Sequence, residues 1–419
     1  MTVHGADSIE RAVQSAQPGQ PPALHVGLGD LVTPLAREMA VDRGVRIVTG
    51  PVAQPAPSAP GASSPGTVNQ PAPPPLRPPS PALFRRGAPL AAEVRPAATE
   101  PAPAGRTGRV VVVGAGHVGM ITAMRLAEAD VLAEVVLVDI ADGLAAGIAL
   151  DLTHTAALLG FSTRVRGVTS VEEAGPADYV VITAGKPRRP GMTRSDLVST
   201  NAAIVGDVAR RAARTSPGTV LVVVTNPLDE MTHHAWRASG LPAERVLGMA
   251  GVLDTARFQA LVSLTGIAAA GDVAGIALGS HGDEMVIPLS QAATSGQSLR
   301  GRLDRATVEA IVDRARNSGG EVVSLLKSGS AFMAPGTSAA HMVLAMIRDT
   351  GDVLPVTARA HGQYGIVDGY VGLPVRLGCR GAREIVELPL TEDERADVRA
   401  AAARIAERVA TLESSPAAS

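Results

Sequence analysis

Four short stretches hold the side chains best suited to chemistry. "LGSHGDEM" carries His281, and an imidazole titrates near neutrality, where proton transfer is easiest to run. "GMAGVLDTARF" carries Asp254 and Arg257. On a helix that i,i+3 spacing puts both on one face, and a plain salt bridge is the ordinary reading of such a pair. "VTNPLD" carries Asn226 ahead of a proline. "GKPRRPGMTR" sets Arg188, Arg189 and Arg194 among prolines and glycines, so it reads as a loop. A solvated loop gains little from three cations. Either they only keep it soluble, or they close over an anion.

The fifth stretch is a glycine turn. Gly114, Gly116 and Gly119 make G-x-G-x-x-G between an apolar run and a helical start, and Asp139 ends the next apolar run. In that setting the turn predicts a dinucleotide site. Gly114 makes the tight turn, Gly116 admits the pyrophosphate to the helix N-terminus, and Gly119 lets helix and strand pack. Asp139 accepts from the adenosine ribose hydroxyls and repels a 2′-phosphate, so NAD is expected rather than NADP. A flavin site or a merely structural turn is the competing reading.

The elements that must position these groups are legible from Arg109 onward. "RVVVV", "EVVLVD", "YVVITAG" and "TVLVVVTNP" are continuous apolar strands alternating with amphipathic helices. That pattern predicts a parallel sheet covered on both faces, an α/β fold of Rossmann type, followed by an α+β catalytic domain. Helices are expected over 195–214, 305–327, 335–349 and about 391–412, with short strands near "YVGLPVRL" and "REIVEL". No internal repeat is visible. The expected domains are a small N-terminal extension (1–50), a disordered linker (51–106), an NAD-binding domain (107–228), a catalytic domain (229–413) and a tail (414–419). Residues 51–106 hold sixteen of the 32 prolines and only two acids, Glu93 and Glu100, too little apolar surface to order themselves. Before them, Ile9, Ala12, Val13 and Ala16 share one helical face. Thr33 with Pro34 starts a second helix that ends at Gly44, and "VRIV" reads as a strand.

Composition narrows the function. A formal net charge of -2 without a basic block argues against nucleic acid as a partner. No apolar run reaches the ~18–20 residues of a membrane span, and no secretory signal is visible, so a cytoplasmic protein is expected. The one cysteine, Cys379, has no disulfide partner and no ligand cluster, and a half-buried, inert thiol is expected. No metal site is expected.

Taken together, the glycine turn, the arginine loop, "VTNPLD", "GMAGVLDTARF" and "LGSHGDEM" resemble the lactate/malate dehydrogenase family. The resemblance runs in the same order from residue 109 to about 412 and includes "GQYGIVDGYVGLPVRLG" and "LPLTEDE". It implies hydride transfer between NAD and a 2-hydroxy acid. His281 is then the acid/base and Asp254 its orienting partner. Arg257 grips the substrate carboxylate, Arg194 polarises the C2 oxygen, and Asn226 orients substrate and nicotinamide. The resemblance also implies a cis Asn226–Pro227 bond, further cofactor contacts at His117, Val118, Asn201 and Thr225, and a homo-tetramer or dimer. Arg at 188, and "GMAG" at 248–251, follow the malate branch, which implies a dicarboxylate and conversion of L-malate to oxaloacetate. A lactate or broader 2-hydroxy acid dehydrogenase, and a non-catalytic NAD-binding scaffold, are the alternatives. "LVTPLAREMAVDRGVRIV" resembles a short segment in proteins of bacterial microcompartment systems, which implies docking of residues 1–50 on a shell or scaffold and a place inside that compartment.

Overall fold

The computed structural model describes residues 3–4, 6–16, 21–27, 30–32, 34–49, 108–186, 194–282, 284–327 and 329–414. It divides into two units, Met1–Ala92 and Glu93–Ser419. The linker expected over 51–106 lies outside the described residues.

The small unit comprises β1 (Val3–His4), α1 (Ala6–Gln14), β2 (Ala23–Val26), β3 (Leu31–Val32), α2 (Pro34–Asp42) and β4 (Arg46–Thr49). Strand–helix–strand therefore occurs twice. The halves interlock through parallel pairs, β1 with β3 (Val3 opposite Leu31) and β2 with β4 (Ala23 opposite Arg46). Ser8 and Ala12 of the first helix are buried, as are Ala36 and Ala40 of the second. Each is 28 residues from its counterpart, so this is a structural duplication where the sequence shows no repeat. Ile9, Ala12, Ala36, Ala40 and Val45 form the unit's own core. Pro34 opens α2 and Gly44 follows its end at φ 64°, as expected, while Thr33 lies outside the described residues. The first helix stops at Gln14, and Ala16, expected on its apolar face, is exposed.

The large unit begins with β5 (Arg109–Val113), α3 (His117–Glu128), β6 (Glu134–Val138), α4 (Leu144–Leu159), β7 (Arg164–Val168) and α5 (Val171–Ala174). It continues through β8 (Tyr179–Ile182), α6 (Arg194–Thr215), β9 (Val220–Val223), α7 (Leu228–Ser239), β10 (Val246–Gly248) and α8 (Gly251–Ser263). Short strands follow: β11 (Val273–Ala274), β12 (Leu278–Gly279), β13 (Met285–Val286), β14 (Ala293–Thr294) and β15 (Gln297–Ser298). The chain ends with α9 (Arg305–Leu326), α10 (Met333–Ile347), β16 (Val353–Ala360), β17 (Gly369–Gly378), β18 (Gly381–Ile385) and α11 (Glu392–Glu413).

Six strands lie parallel in the order β7-β6-β5-β8-β9-β10, the doubly wound arrangement whose direction of winding reverses between β5 and β8. β16 and β17 extend the same sheet antiparallel from β10. The runs of valine explain why helices are needed on both sides. Val110, Val112, Val135, Leu137, Val181 and Val222 pack into one core, and the alternating Val111, Val113, Val136, Val138, Ile182 and Val223 into another. A third core around Phe258, Val262 and Ile311 joins α8 to α9. α11 starts with a capping box, in which Thr391 accepts from Glu394 N and Glu394 accepts from Thr391 N.

Cys379 departs from its expectation, because it is exposed. It sits in the tight turn between β17 and β18, where its backbone is spoken for: its N–H donates to Asp349 at 2.9 Å and its carbonyl accepts from Tyr179 Oη at 2.9 Å. The turn thereby directs the thiol outward. Among the described residues no helix is long and apolar enough to cross a membrane, and no group of His, Cys, Asp and Glu could hold a metal ion.

Candidate active site

The carboxyl ends of β5 and β8, where the winding reverses, hold the glycine turn. Gly114 takes φ 104°, and a Cβ there would lie 2.7 Å from Ala184 N. A Cβ on Gly119 would lie 1.8 Å from Gly114 O, so both positions exclude any side chain. Gly116 differs: nothing lies within 4 Å of its would-be Cβ. It is the N-cap of α3 and gives the first N–H groups of that helix no side-chain acceptor. Crowding on two sides of the turn and room on the third fit the pyrophosphate of a dinucleotide at the helix dipole.

Asp139, just past β6, is tied to the same turn. Its Oδ2 accepts from Ala115 N at 2.8 Å and its Oδ1 from Ala141 N at 2.9 Å. The carboxylate thus braces the loop with one bond to each oxygen. His117, the first residue of α3, stacks on Phe332 with ring centroids 4.9 Å apart. Asn201 and Thr225 are buried and already bonded to backbone. Asn201 accepts from Lys186 N at 2.8 Å and donates to Asn226 O at 2.7 Å, while Thr225 donates to Ala184 O at 2.8 Å. They pin the ends of β8 and β9 beside the cleft.

The imidazole expected to transfer the proton comes from a later part of the chain. His281 follows β12, and its Nδ1 is 2.9 Å from Asp254 Oδ2 on α8. Asp254 Oδ1 accepts from Arg257 Nη1 at 3.0 Å. The i,i+3 pair is therefore a salt bridge and also an arm that reaches His281. Burial opposes charging the ring, and Arg257 does too. The Asp254 carboxylate, through its charge and its hydrogen bond, outweighs both with help from Asp229, so His281 is held above the ordinary imidazole value. The Asn226–Pro227 bond is cis, as expected.

A cavity of about 390 Å3 draws its lining from four of these segments. Val118 comes from the glycine turn, Asn226 from the β9 end, Arg257 from α8 and His281 from the β12 loop. Arg316 and Gly319 of α9 also line it, and neither stands out in the sequence because α9 reads there as an ordinary helix. Arg316 Nε donates to Met285 O at 3.1 Å. Arg194 is the first residue of α6, at the end of the arginine loop. Arg188 lies outside the described residues.

Two family models match this chain. The lactate/malate dehydrogenase NAD binding domain matches residues 108–248, and the lactate/malate dehydrogenase alpha/beta C-terminal domain matches residues 251–414. The chain belongs to the lactate/malate dehydrogenase family. It is 46% identical over 289 residues to a malate dehydrogenase of Synechocystis sp., covering 69% of this chain and 89% of that protein. Among solved structures it is similar to the malate dehydrogenase of Salinibacter ruber, with TM-score 0.70, 39% identity, and 73% of this chain and 97% of the other covered. A Cryptosporidium parvum lactate dehydrogenase, solved with lactic acid and nicotinamide adenine dinucleotide, is similar at TM-score 0.71 and 33% identity, covering 74% and 99%. Within this family the cofactor is NAD and the chain is an oxidoreductase. Residues 1–107 fall outside both family models.

Proposed function

We propose that the chain is an NAD-dependent malate dehydrogenase that interconverts L-malate and oxaloacetate. The observation that carries this reading is the His281–Asp254–Arg257 arm, whose His281 and Arg257 line one cavity together with Asn226 and Val118, the residue before Gly119. The malate dehydrogenases to which the chain is 41–46% identical support the choice of substrate.

Asp254 accepts the Nδ1 proton of His281, which leaves Nε2 bare to take the hydroxyl proton of malate. As that proton arrives, the same carboxylate stabilises the imidazolium. Arg257 pairs with the C1 carboxylate through its planar fork, a geometry that an ammonium cannot match. Arg194 polarises the C2 oxygen as charge develops there. Arg188 meets the second carboxylate of the substrate. Asn226 orients the substrate. Gly114, Gly116, His117, Val118, Gly119 and Asp139 hold NAD, which when bound supplies the hydride acceptor at the alcohol carbon.

The working form is a homodimer or tetramer. Its support is α4, which exposes Leu144, Leu150, Leu158 and Leu159, an apolar face suited to a second copy. Residues 1–50 are a docking module that delivers a cytoplasmic enzyme to a microcompartment shell or scaffold. A core of its own is what such a module needs. Reduction of oxaloacetate with NADH by the purified chain tests the activity: turnover is expected, and its absence sinks the proposal.

A further inference from the structure

His281 is held from two sides, its ring by Asp254 and its backbone by Asp229. Asp229 lies in the first turn of α7, two residues after Pro227, and is 2% exposed. Its Oδ2 accepts from Ser280 Oγ at 2.9 Å and from His281 N at 3.1 Å. Its Oδ1 accepts from Thr357 Oγ1 of β16 at 2.8 Å. Ser280 Oγ also accepts from Arg408 Nη2 of α11 at 3.0 Å. A hydroxyl that accepts from a guanidinium has its own proton to give, and Asp229 stands in its path. The chain of donors thus runs from Arg408 through Ser280 to Asp229, where the His281 and Thr357 donors also converge. Burial, joined by the charge of Glu230, holds the Asp229 carboxyl above the ordinary carboxylate range, and the hydrogen bonds from Thr357 and His281 N offset part of that rise. Three donors aimed at one carboxylate are the arrangement that favours its charged form.

We propose that Asp229 is a positioning residue for the proton transfer: it fixes the backbone on which His281 stands and sets a second negative charge against the imidazolium. The proposal rests on the reading of His281 as the acid/base. The other charges around the ring do not duplicate this role. Arg257 of α8 works against charging the ring, and Arg316 of α9 lines the same cavity as a further cation. Glu230 and Glu284 are both engaged by Arg408, at 2.6 and 2.9 Å. After Asp254, Asp229 is therefore the carboxylate whose charge acts on His281. A purely structural bolt between α7 and β16 would keep the fold and leave the titration of His281 alone.

Asp229→Asn separates the two roles. The amide keeps the shape and can still accept from His281 N, but the charge is gone. The titration of His281 is followed by NMR in the cofactor-free protein, its resonance assigned by loss in His281→Asn. The midpoint is expected to fall by about one pH unit. The pH midpoint of kcat/KM for malate should fall with it, and NADH affinity should be unchanged. A His281 midpoint that stays in place overturns the proposal. A midpoint that falls while the activity profile stays supports the electrostatic coupling but removes His281 from the acid/base role. Should Asp229→Asn fail to fold, Ser280→Ala cuts the link to Arg408 and keeps the carboxylate. kcat should then drop by about tenfold at unchanged NADH affinity, since small displacements of a reacting group are costly; an unaltered kcat overturns the proposal.

Discussion

His281 and Asp254 are joined ring to carboxylate, Nδ1 to Oδ2 at 2.9 Å, although 27 residues separate them in the chain. An ionised carboxylate only accepts, so the proton sits on Nδ1 and Nε2 is the free base.

The sign of the pH dependence follows. Malate oxidation needs the neutral ring, and His281 is held above the ordinary value of 6.5. Oxidation, measured as kcat/KM for malate, should rise with pH through that raised value, and oxaloacetate reduction should decline over the same range. Asp254→Asn should move both midpoints down. His281→Asn should lose on the order of 10²–10⁴ in kcat while binding NADH normally. Near-parental turnover in His281→Asn would remove it from the mechanism.

Two glycines of one turn should respond in opposite ways. Gly119→Ala places a methyl 1.8 Å from Gly114 O and should cost about 1–3 kcal/mol, visible as a lower Tm. Gly116→Ala meets nothing within 4 Å and has φ -68°, so Tm should hold. Its methyl enters the space assigned to the pyrophosphate, and the Kd for NADH should weaken by about tenfold. Calorimetry and NADH titration check both. Unchanged NADH affinity in Gly116→Ala would move the cofactor elsewhere.

Asp139 should exclude NADP. Its carboxylate would meet a phosphate dianion at short range, which is strongly unfavourable. Asp139→Ser should weaken NADH use and narrow the gap to NADPH in kcat/KM. It also removes an acceptor for Ala115 N or Ala141 N, so some loss with both cofactors is expected. A parent enzyme that prefers NADPH contradicts the assignment.

Residues 1–106 should be dispensable for chemistry. Residues 51–106 carry sixteen prolines and little apolar surface, a composition that offers little burial to the rest of the chain. Deletion should leave kcat, KM and Tm unchanged, and residues 1–50 fused to a fluorescent protein should relocalise it in cells that make compartments. A truncated enzyme that loses several degrees of Tm, or a fusion that stays diffuse, counts against the docking role.

The parallel strands were legible in the sequence because both faces of this sheet are buried, which writes them as unbroken runs such as "RVVVV" and "TVLVVV". His281, Asp254 and Arg257 were legible because each sits in a short stretch whose local pattern resembles a family. Asp229, Ser280, Thr357 and Arg408 were not. Asp229 and Ser280 lie inside "VTNPLD" and "LGSHGDEM", but the bonds that join these four residues span 51 to 128 positions, and no local pattern pairs them. The paired halves of the small unit were hidden for a related reason. Two-residue strands carry no periodicity, and the two buried helix faces share small residues rather than a motif.

The central claim is a dicarboxylate substrate, and the most direct measurement is the ratio of kcat/KM for oxaloacetate to that for pyruvate with NADH, in the parent and in Arg188→Gln. The parent should favour oxaloacetate. The variant leaves the second carboxylate without its cation, a loss of roughly 2–5 kcal/mol, and its ratio should fall by on the order of 10²–10³. A parent that reduces pyruvate as readily as oxaloacetate, or a variant that keeps the parent's ratio, would contradict the account.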